Sequence, residues 1–263
     1  MADAAYYLGI DVGSTASKCV IVDADGAIVG RGLAGSGAGT AGPKTAVDVA
    51  LADAGIAMGD VSASCATGYG RNLMDWTDGQ MSELSCHALG AAKLFPGVRT
   101  VIDIGGQDAK VLSISPAGDL ENFAMNDKCA AGTGRFLDVM ASIFGCKVSD
   151  LSGFDEQSEK VATISSTCTV FAESEVISKL SEGQPIPDIV AGIHTSVVER
   201  TAGLARRLGV KAPVVMTGGV ALNKRLRERL ADKLGQDIQT NEDSQLIGAL
   251  GAALHALEKH GAR

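Results

Sequence analysis

One segment near the start of the chain occurs a second time further along it. YLGIDVGSTASKCVIVDADG, from Tyr7, aligns without a gap with RTVIDIGGQDAKVLSISPAG, from Arg99. Each copy has an apolar run ending in Asp, a glycine turn, an alternating run and a second turn, which together predict a β-hairpin. The repeat therefore predicts an α/β chain of two duplicated lobes, each opening with a hairpin.

The turn inside each hairpin is a candidate phosphate site. Backbone N–H groups of small residues can bind a polyphosphate, and a carboxylate at the strand end suits Mg²⁺. We expect Asp11 and Asp103 to act on Mg²⁺ or its waters. The candidate phosphate ligands are Gly13, Ser14, Thr15 and Lys18 in the first copy and Gly105 and Gly106 in the second. The sequence contains no GxxxxGK[ST] motif, which excludes a P-loop.

A third glycine turn follows an apolar strand in PVVMTGGVALNKRLRERL, from Pro213. The leucines of this segment recur every fourth residue from Leu222, which predicts a basic amphipathic helix after the turn. Strand, Gly-Gly and helix is also an ordinary α/β connection. Its position after two hairpin loops favours contact between the backbone and a nucleoside, with Gly218, Gly219 and Asn223 as the candidates.

Other elements follow from apolar periodicity and flanking turn residues. Predicted helices cover residues 43–54, 82–95, 187–208 and 243–259, a further helix begins near Arg135, and a strand covers 61–67.

Composition narrows the class of protein. The net charge of −8 and the lack of a basic cluster argue against a nucleic-acid partner. No run of about 18 apolar residues is present, so we expect no membrane span. The six cysteines form no CxxC pair, and no basic stretch precedes an apolar one near residue 1. These features predict a cytoplasmic protein with reduced cysteines.

The three glycine motifs together resemble the ATPase superfamily of actin, hexokinase and heat-shock chaperones. DVGST from Asp11 resembles its first phosphate motif, DIGGQD from Asp103 its second, and TGG from Thr217 its adenosine motif. The resemblance implies an actin-like, ribonuclease H-like fold with two lobes around a nucleotide cleft. Lobe I would cover residues 1–97, with the helix 243–260 returning to it, and lobe II residues 98–242.

Two further segments resemble one branch of that superfamily. NDKCAAGTGRFL, from Asn126, and STCTVFAESE, from Ser166, resemble the BadF/BadG/BcrA/BcrD-type ATPases, which activate 2-hydroxyacyl-CoA dehydratases and benzoyl-CoA reductases. The resemblance implies that Cys129 and Cys168 hold a [4Fe–4S] cluster beside an ATP/ADP and Mg²⁺ site. It also implies that reduced ferredoxin or flavodoxin supplies an electron, which ATP hydrolysis drives to a dehydratase or reductase component.

The number of cysteines then bears on assembly. A [4Fe–4S] cluster usually takes about four thiolates, and this chain offers two in the resembling segments, so a shared cluster predicts a C2 dimer with a second copy. We expect both cysteines just ahead of helices, with Thr169 as the N-cap after Cys168, because a helix N-terminus stabilises a thiolate. Structural roles are expected for the others, Cys19, Cys65, Cys86 and Cys146.

Catalysis and coupling involve residues beside these motifs. Either Gln107 or Asp108 would orient the attacking water, and the sequence leaves that choice open. Gly132, Thr133 and Gly134 join Cys129 to its helix, and we expect them to contact the nucleotide, so that its phosphate state moves that helix.

Other functions fit the same motifs. The ATPase subunit of a benzoyl-CoA reductase and the reductase of a double-cubane-cluster protein are alternatives within the family. A small-molecule kinase without iron, or a non-enzymatic actin-like module, would share only the fold.

Overall fold

A computed structural model describes residues 5–165 and 168–261 of the chain. The described residues form ten strands: β1 (Tyr6–Val12), β2 (Ser17–Val22), β3 (Ile28–Ala34), β4 (Val61–Thr67), β5 (Gly79–Gln80), β6 (Thr100–Ile104), β7 (Ala109–Ile114), β8 (Leu120–Asn126), β9 (Val214–Thr217) and β10 (Ile238–Gln239). They also form eight α-helices: α1 (Gly42–Ala54), α2 (Glu83–Leu94), α3 (Gly134–Ile143), α4 (Leu151–Glu156), α5 (Thr169–Ser181), α6 (Ile186–Leu208), α7 (Lys224–Leu234) and α8 (Ile247–His260).

The described chain divides into two compact units. The first contains residues 5–98, 114–121 and 242–261, and the second contains residues 99–113, 122–165 and 168–241. Two five-stranded sheets are present, with strand orders β3-β2-β1-β4-β5 and β10-β9-β6-β7-β8. Each unit therefore has a mixed sheet with helices, which confirms the predicted α/β class.

The repeated sequence forms equivalent hairpins in the two sheets. β1 pairs antiparallel with β2 and places Asp11 opposite Lys18. β6 pairs antiparallel with β7 and places Asp103 opposite Lys110. The other neighbour of each first strand is parallel, β4 in one sheet and β9 in the other. Both predicted hairpins are confirmed, and the duplication extends to the parallel strand beside each of them.

Apolar residues alternate along the first sheet, so each face packs against its own helices. One core cluster joins Leu8, Ile10 and Ile21 to Ala46 and Ala50 of α1. Another joins residues on the opposite side of the strands to α2 and α8, including Tyr7, Val20, Val22, Cys86 and Ala253.

Glycines allow α8 to pack unusually close to its neighbours in the first unit. A Cβ on Gly9 of β1 would collide with the backbone of Ala249 and Ala253. A Cβ on Gly251 of α8 would collide with the backbone of Cys86 in α2. Because backbone atoms cannot rotate away, only glycine permits these contacts at the observed spacing.

The second unit has one continuous apolar core. It connects Ile102 and Val111 of the hairpin to Phe136 and Met140 of α3, and it extends to the buried sides of α5, α6 and α7. None of the described helices is both long and apolar enough to cross a membrane.

Several predicted boundaries were wrong. α8 begins at Ile247, because Glu242–Gln245 forms a separate 3-10 helix. Leu222 lies in the 3-10 turn Gly219–Leu222 and is exposed, so it does not belong to the apolar face of α7. The edge strand β8 and the short helix α4 carry no clear periodicity and were not predicted.

The close packing of α8 gives a stability test with a matched control. Gly251→Ala should lower the free energy of unfolding by about 2 kcal/mol, because overpacking against the backbone of α2 exceeds the gain in helix propensity. Gly203→Ala in α6 has no atom near the added methyl group, so it should raise stability by up to about 1 kcal/mol. Urea unfolding measures both, and equal effects of the two substitutions would contradict the packing argument.

Candidate functional site

The loop after β1 is fixed through its backbone. The Gly13 N–H donates to Ala16 O at 3.1 Å, and the Ala38 N–H donates to Gly13 O at 2.9 Å. Ser14 and Thr15 at the loop tip are exposed. The loop therefore has a fixed backbone and presents its two hydroxyl side chains to solvent.

Asp11 lies buried at the base of this loop. Its Oδ2 is 3.2 Å from Lys18 Nζ, across the hairpin. A Cβ on Gly248 would approach Asp11 Oδ2 and His87 Cε1, both at 3.0 Å, so the carboxylate and the imidazole lie beside the same glycine. A Cβ on Gly68 would also collide with Asp11. The carboxylate thus lies in a glycine-lined recess of the first unit.

His87 is a residue beside Asp11 that the sequence analysis did not assign to the site. Its side chain is buried, and Nδ1 is 2.9 Å from Glu83 O, one helical turn earlier in α2. An isolated histidine in a helix gives no signal of its own, so only the three-dimensional structure reveals its proximity to Gly248 and Asp11.

The corresponding cluster in the second unit is more enclosed. Asp103 Oδ2 lies 3.1 Å from Lys110 Nζ, and Asp103 Oδ1 accepts a 2.7 Å hydrogen bond from Thr217 Oγ1. Lys110 also contacts Asp108 Oδ2 at 2.9 Å. All four side chains are buried. Lys110 is a missed member of the site, and its alignment with Lys18 in the repeat was the signal for it.

The second candidate phosphate loop continues from this cluster. The Gly105 N–H donates to Asp108 O at 2.9 Å and closes the turn. Gln107 is exposed, whereas Asp108 is buried and paired with Lys110. The two candidates for orienting water therefore differ in environment: the amide is accessible and the carboxylate is already held by a cation.

The Gly-Gly turn lies at the same edge of the second sheet. Because β6 and β9 are parallel, their carboxyl ends meet, and Asp103 pairs with Thr217 in the strand register. Gly218 has φ +80°, and a Cβ there would collide with Ile104 O and approach Asp103. Gly219 begins the 3-10 turn, and Asn223 caps α7 by accepting the Leu226 N–H at 3.0 Å.

The segment that carries Cys129 is hydrogen-bonded directly to the second candidate phosphate loop. The Gly134 N–H donates to Gly105 O, and the Arg135 N–H donates to Gly106 O, both at 2.8 Å. Thr133 Oγ1 is 3.2 Å from Gly106 O. Gly132 has φ +89° and lies against the Arg200 side chain. The glycines after Cys129 thus shape a turn that holds this segment onto the loop of residues 105 and 106.

The six cysteines differ in accessibility. Cys19, Cys65 and Cys86 are buried, Cys129 and Cys146 are half-buried, and Cys168 is exposed. Burial raises the pKa of the Cys65 thiol to about 11 and that of Cys86 to about 12, so both stay protonated at neutral pH. Protonated, enclosed thiols are poor metal ligands.

Cys168 is itself the N-cap of α5, and Thr169 is the first helical residue, so the predicted cap at Thr169 was wrong. The backbone of Cys168 is extended, with ψ 138°, and this conformation is typical of a residue just outside a helix. Residues 166 and 167, in the motif before it, lie outside the described residues. Within the described residues, no three His, Cys, Asp or Glu side chains are grouped to hold a metal ion.

A network of buried polar side chains is hydrogen-bonded to Asn223. Asn223 Nδ2 is 3.0 Å from His194 Nε2, and His194 Nδ1 is 2.7 Å from Asp155 Oδ2. Arg229 donates to both oxygens of Asp155. Burial raises the pKa of Asp155, but the hydrogen bonds from Arg229 and His194 lower it by more, so the pKa lies below its ordinary value. Asp155 therefore remains ionised in the core.

The sequence matches one known protein family. Residues 8–256 match the model of the BadF/BadG/BcrA/BcrD ATPase family. The chain is 56% identical to the (R)-2-hydroxyglutaryl-CoA dehydratase activating ATPase of Acidaminococcus fermentans, over 97% of this chain and 98% of that protein. It is 33% identical to a benzoyl-CoA reductase subunit of Thauera aromatica, over 80% and 76% of the two chains.

Solved structures agree with this match. The A. fermentans (R)-2-hydroxyglutaryl-CoA dehydratase component A superimposes with a TM-score of 0.94 at 55% identity, covering 98% of this chain and 99% of that chain. The 2-hydroxyisocaproyl-CoA dehydratase activator of Clostridium difficile with bound ADPNP has a TM-score of 0.94 at 51% identity, covering 97% and 95%. A ROK family glucokinase from Streptomyces griseus, with a TM-score of 0.57 at 16% identity over 96% and 99% of the two chains, shares the fold alone.

The low pKa of Asp155 predicts a pH-dependent stability difference. A carboxyl whose folded pKa is depressed stabilises the fold above its unfolded pKa of about 4 and loses that contribution as the pH falls below it. Asp155→Asn should therefore cost about 3 kcal/mol at pH 7, by leaving Arg229 without its buried partner, and less at pH 3. Urea unfolding at both pH values measures the difference.

Asp232→Asn, at an exposed position of α7, is the control and should change stability little at either pH. A cost for Asp155→Asn that stayed equal at pH 7 and pH 3 would contradict the role of its charge.

Proposed function

Because the chain belongs to the BadF/BadG/BcrA/BcrD ATPase family, we propose that it is an ATP-dependent electron donor that activates a 2-hydroxyacyl-CoA dehydratase. It would couple ATP hydrolysis to the transfer of one low-potential electron from ferredoxin or flavodoxin. The observation that carries the proposal is the hydrogen-bonded joint between the second phosphate loop and the segment bearing Cys129.

The chain binds ATP or ADP, as an ATPase of this family. In the proposal, the loops at Gly13 and Gly105 contact the phosphate groups, together with Ser14, Thr15, Lys18 and Gly106. Gly218, Gly219 and Asn223 contact the nucleoside. Asp11 and Asp103 act on Mg²⁺ through its waters, because each carboxylate is already within 3.2 Å of a lysine.

Hydrolysis needs a water aligned with the γ-phosphate. Gln107 fits this task better than Asp108, because its side chain is accessible, whereas Asp108 is buried against Lys110. Asp108 and Lys110 would instead keep Asp103 oriented and the charge of the loop partly neutralised.

Cys129 and Cys168 suit a [4Fe–4S] cluster by the chemistry of their donor atoms. Cys129 is half-buried and Cys168 exposed, so both thiols can reach a ligand outside the chain's own core. A bound cluster would supply one-electron chemistry. Since such a cluster takes about four thiolates, Cys129 and Cys168 of two copies would complete it in a C2 dimer.

Apolar side chains next to Cys168 support the second copy as the neighbour. Val170 and Phe171, in the first turn of α5, are 65% and 68% exposed. Exposed large apolar side chains at one helix end favour a contact surface. In the proposal, they pack against the partner around the shared cluster and exclude water from it.

The joint between the loops gives the nucleotide a route to the cluster. A phosphate group that displaces the backbone of Gly105 or Gly106 would also displace Gly134 and Arg135, because hydrogen bonds of 2.8 Å link the two segments. Cys129 precedes that turn by a few residues. Loss of the γ-phosphate would therefore change the position of the cysteine, and with it the environment of the cluster.

The degree of similarity favours a dehydratase over a reductase as the electron acceptor. The dehydratase activator from A. fermentans is 56% identical to this chain, and the benzoyl-CoA reductase subunit is 33% identical. A dehydratase component is therefore the proposed partner, and an aryl-CoA reductase is the second candidate.

Iron content tests the cluster site. After anaerobic reconstitution, the wild-type protein should be brown, with about four iron atoms per dimer. Cys129→Ala and Cys168→Ala should each lose the iron and the dimer, as measured by iron analysis and light scattering. Cys146→Ala is the matched control, because Cys146 is also half-buried in the second unit, and it should keep both. Iron retained by Cys129→Ala, or a colourless wild-type protein, would refute the proposal.

Hydrolysis tests the Asp103 cluster. Asp103→Asn should lower the ATPase kcat about 100-fold, because it disrupts the charge that orients Mg²⁺ and Lys110. ADP binding should persist, which shows that the variant is folded. Asp119→Asn, at the exposed turn between β7 and β8, should leave kcat unchanged. A wild-type rate in Asp103→Asn would remove Asp103 from the proposed mechanism.

A further inference from the structure

A buried chain of three polar side chains connects helices α4, α6 and α7 of the second unit. It runs from Asp155 through His194 to Asn223, with contacts of 2.7 and 3.0 Å. Asp155 and His194 are fully buried. Buried polar groups are costly unless they are paired, so a chain of this kind stabilises one arrangement of its helices over others.

The hydrogen bonds fix the chemical state of each member. Asn223 Oδ1 accepts the Leu226 N–H, so its Nδ2 amide group is the one that faces His194 Nε2. Nδ2 only donates, so Nε2 must accept. The Asp155 carboxylate only accepts, so His194 Nδ1 must carry the proton. His194 therefore donates from Nδ1 to Asp155 and accepts at Nε2 from Asn223, so its ring links the orientation of Asp155 to that of Asn223.

This row of hydrogen-bonded side chains is anchored at Asp155. Arg229 donates from Nε and Nη2 to the two oxygens of Asp155, which is a bidentate arrangement. Arg225 Nε lies 3.9 Å from the same carboxylate, and Ser158 Oγ is 2.8 Å from Asp155 O. Asp155 is thus fixed from several directions, and the imidazole has little freedom to rotate.

At Asn223, the same row of side chains contacts the Gly-Gly turn. The Asn223 N–H donates to Val220 O at 3.0 Å, and the Ala221 N–H donates to Gly218 O at 3.1 Å. Arg227 Nη1 donates to Ala221 O at 2.7 Å. A displacement of the Asn223 backbone is therefore transmitted to the turn that begins at Gly218.

We propose that His194 and Asp155 are positioning residues for the nucleoside of ATP, acting through Asn223 on the turn Gly219–Leu222. The inference rests on the proposed role of Gly218, Gly219 and Asn223 in nucleoside binding. Neither His194 nor Asp155 touches the nucleotide. They set the position of the groups that do.

Two substitutions at His194 separate its two hydrogen bonds. His194→Asn places an amide near the Nδ1 position and can keep the bond to Asp155, but it cannot reach Asn223. His194→Gln places an amide near the Nε2 position and can accept from Asn223. ADP affinity, measured by calorimetry, should fall about 10-fold in His194→Asn and recover to within about 3-fold of wild type in His194→Gln.

Kinetics and a second ligand distinguish positioning from a general structural effect. His194→Asn should raise the KM for ATP about 10-fold and change kcat less than about 2-fold, because the phosphate loops are untouched. Its affinity for inorganic tripolyphosphate should stay at the wild-type value. An equal loss of affinity for ADP and tripolyphosphate, or His194→Gln as weak as His194→Asn, would overturn the proposal.

Asn223→Ser provides an independent variant should His194→Asn not fold. Serine still caps α7 but lacks the amide that reaches His194. It should weaken ADP binding about 10-fold as well, and unchanged ADP affinity would reject the inference. ADP calorimetry requires neither iron nor a dehydratase. A wild-type protein that binds ADP but activates no dehydratase would refute the proposed function and leave this inference standing.

Discussion

The buried ion pair between Asp103 and Lys110 is the contact on which the second unit's site depends. Both side chains are about 3% exposed, and an unpaired charge at that depth would be strongly destabilising. Lys110 reaches Asp103 because β6 and β7 pair antiparallel, and Thr217 reaches it because β9 runs parallel to β6. The cluster of these three side chains therefore forms only where β6 and β9 end and β7 begins, and this edge is where both candidate loops begin.

The hairpin repeat was predictable because its signal is local. Strand, glycine turn and strand follow one another within about twenty residues. The parallel neighbours, the network from Asp155 to Asn223 and the recess around Asp11 were not predictable in this way. Each depends on contacts between residues that are far apart in sequence, such as Thr217 with Asp103 and Asn223 with His194.

Competition between two neighbouring residues for the N-cap position explains the wrong prediction at the start of α5. Thr169 is a good capping residue, yet Cys168 takes that position with no side-chain hydrogen bond, so the cysteine occupies a place where serine or threonine is more common. Helix capping therefore does not explain the cysteine at this position. The buried Cys65 and Cys86 illustrate the opposite case, since their raised pKa values and apolar surroundings explain them as core residues.

The loop of residues 105 and 106 has two sets of partners, and these give the proposed coupling a physical basis. Its N–H at Gly105 is used within the turn, while its carbonyl groups at residues 105 and 106 accept from Gly134 and Arg135. The loop cannot move without stretching these bonds or moving the segment after Cys129 with it. A nucleotide can shift an equilibrium only through contacts that differ between two states. Here the contact that differs would be the γ-phosphate, and the element that responds would be the turn that joins the loop to the cysteine.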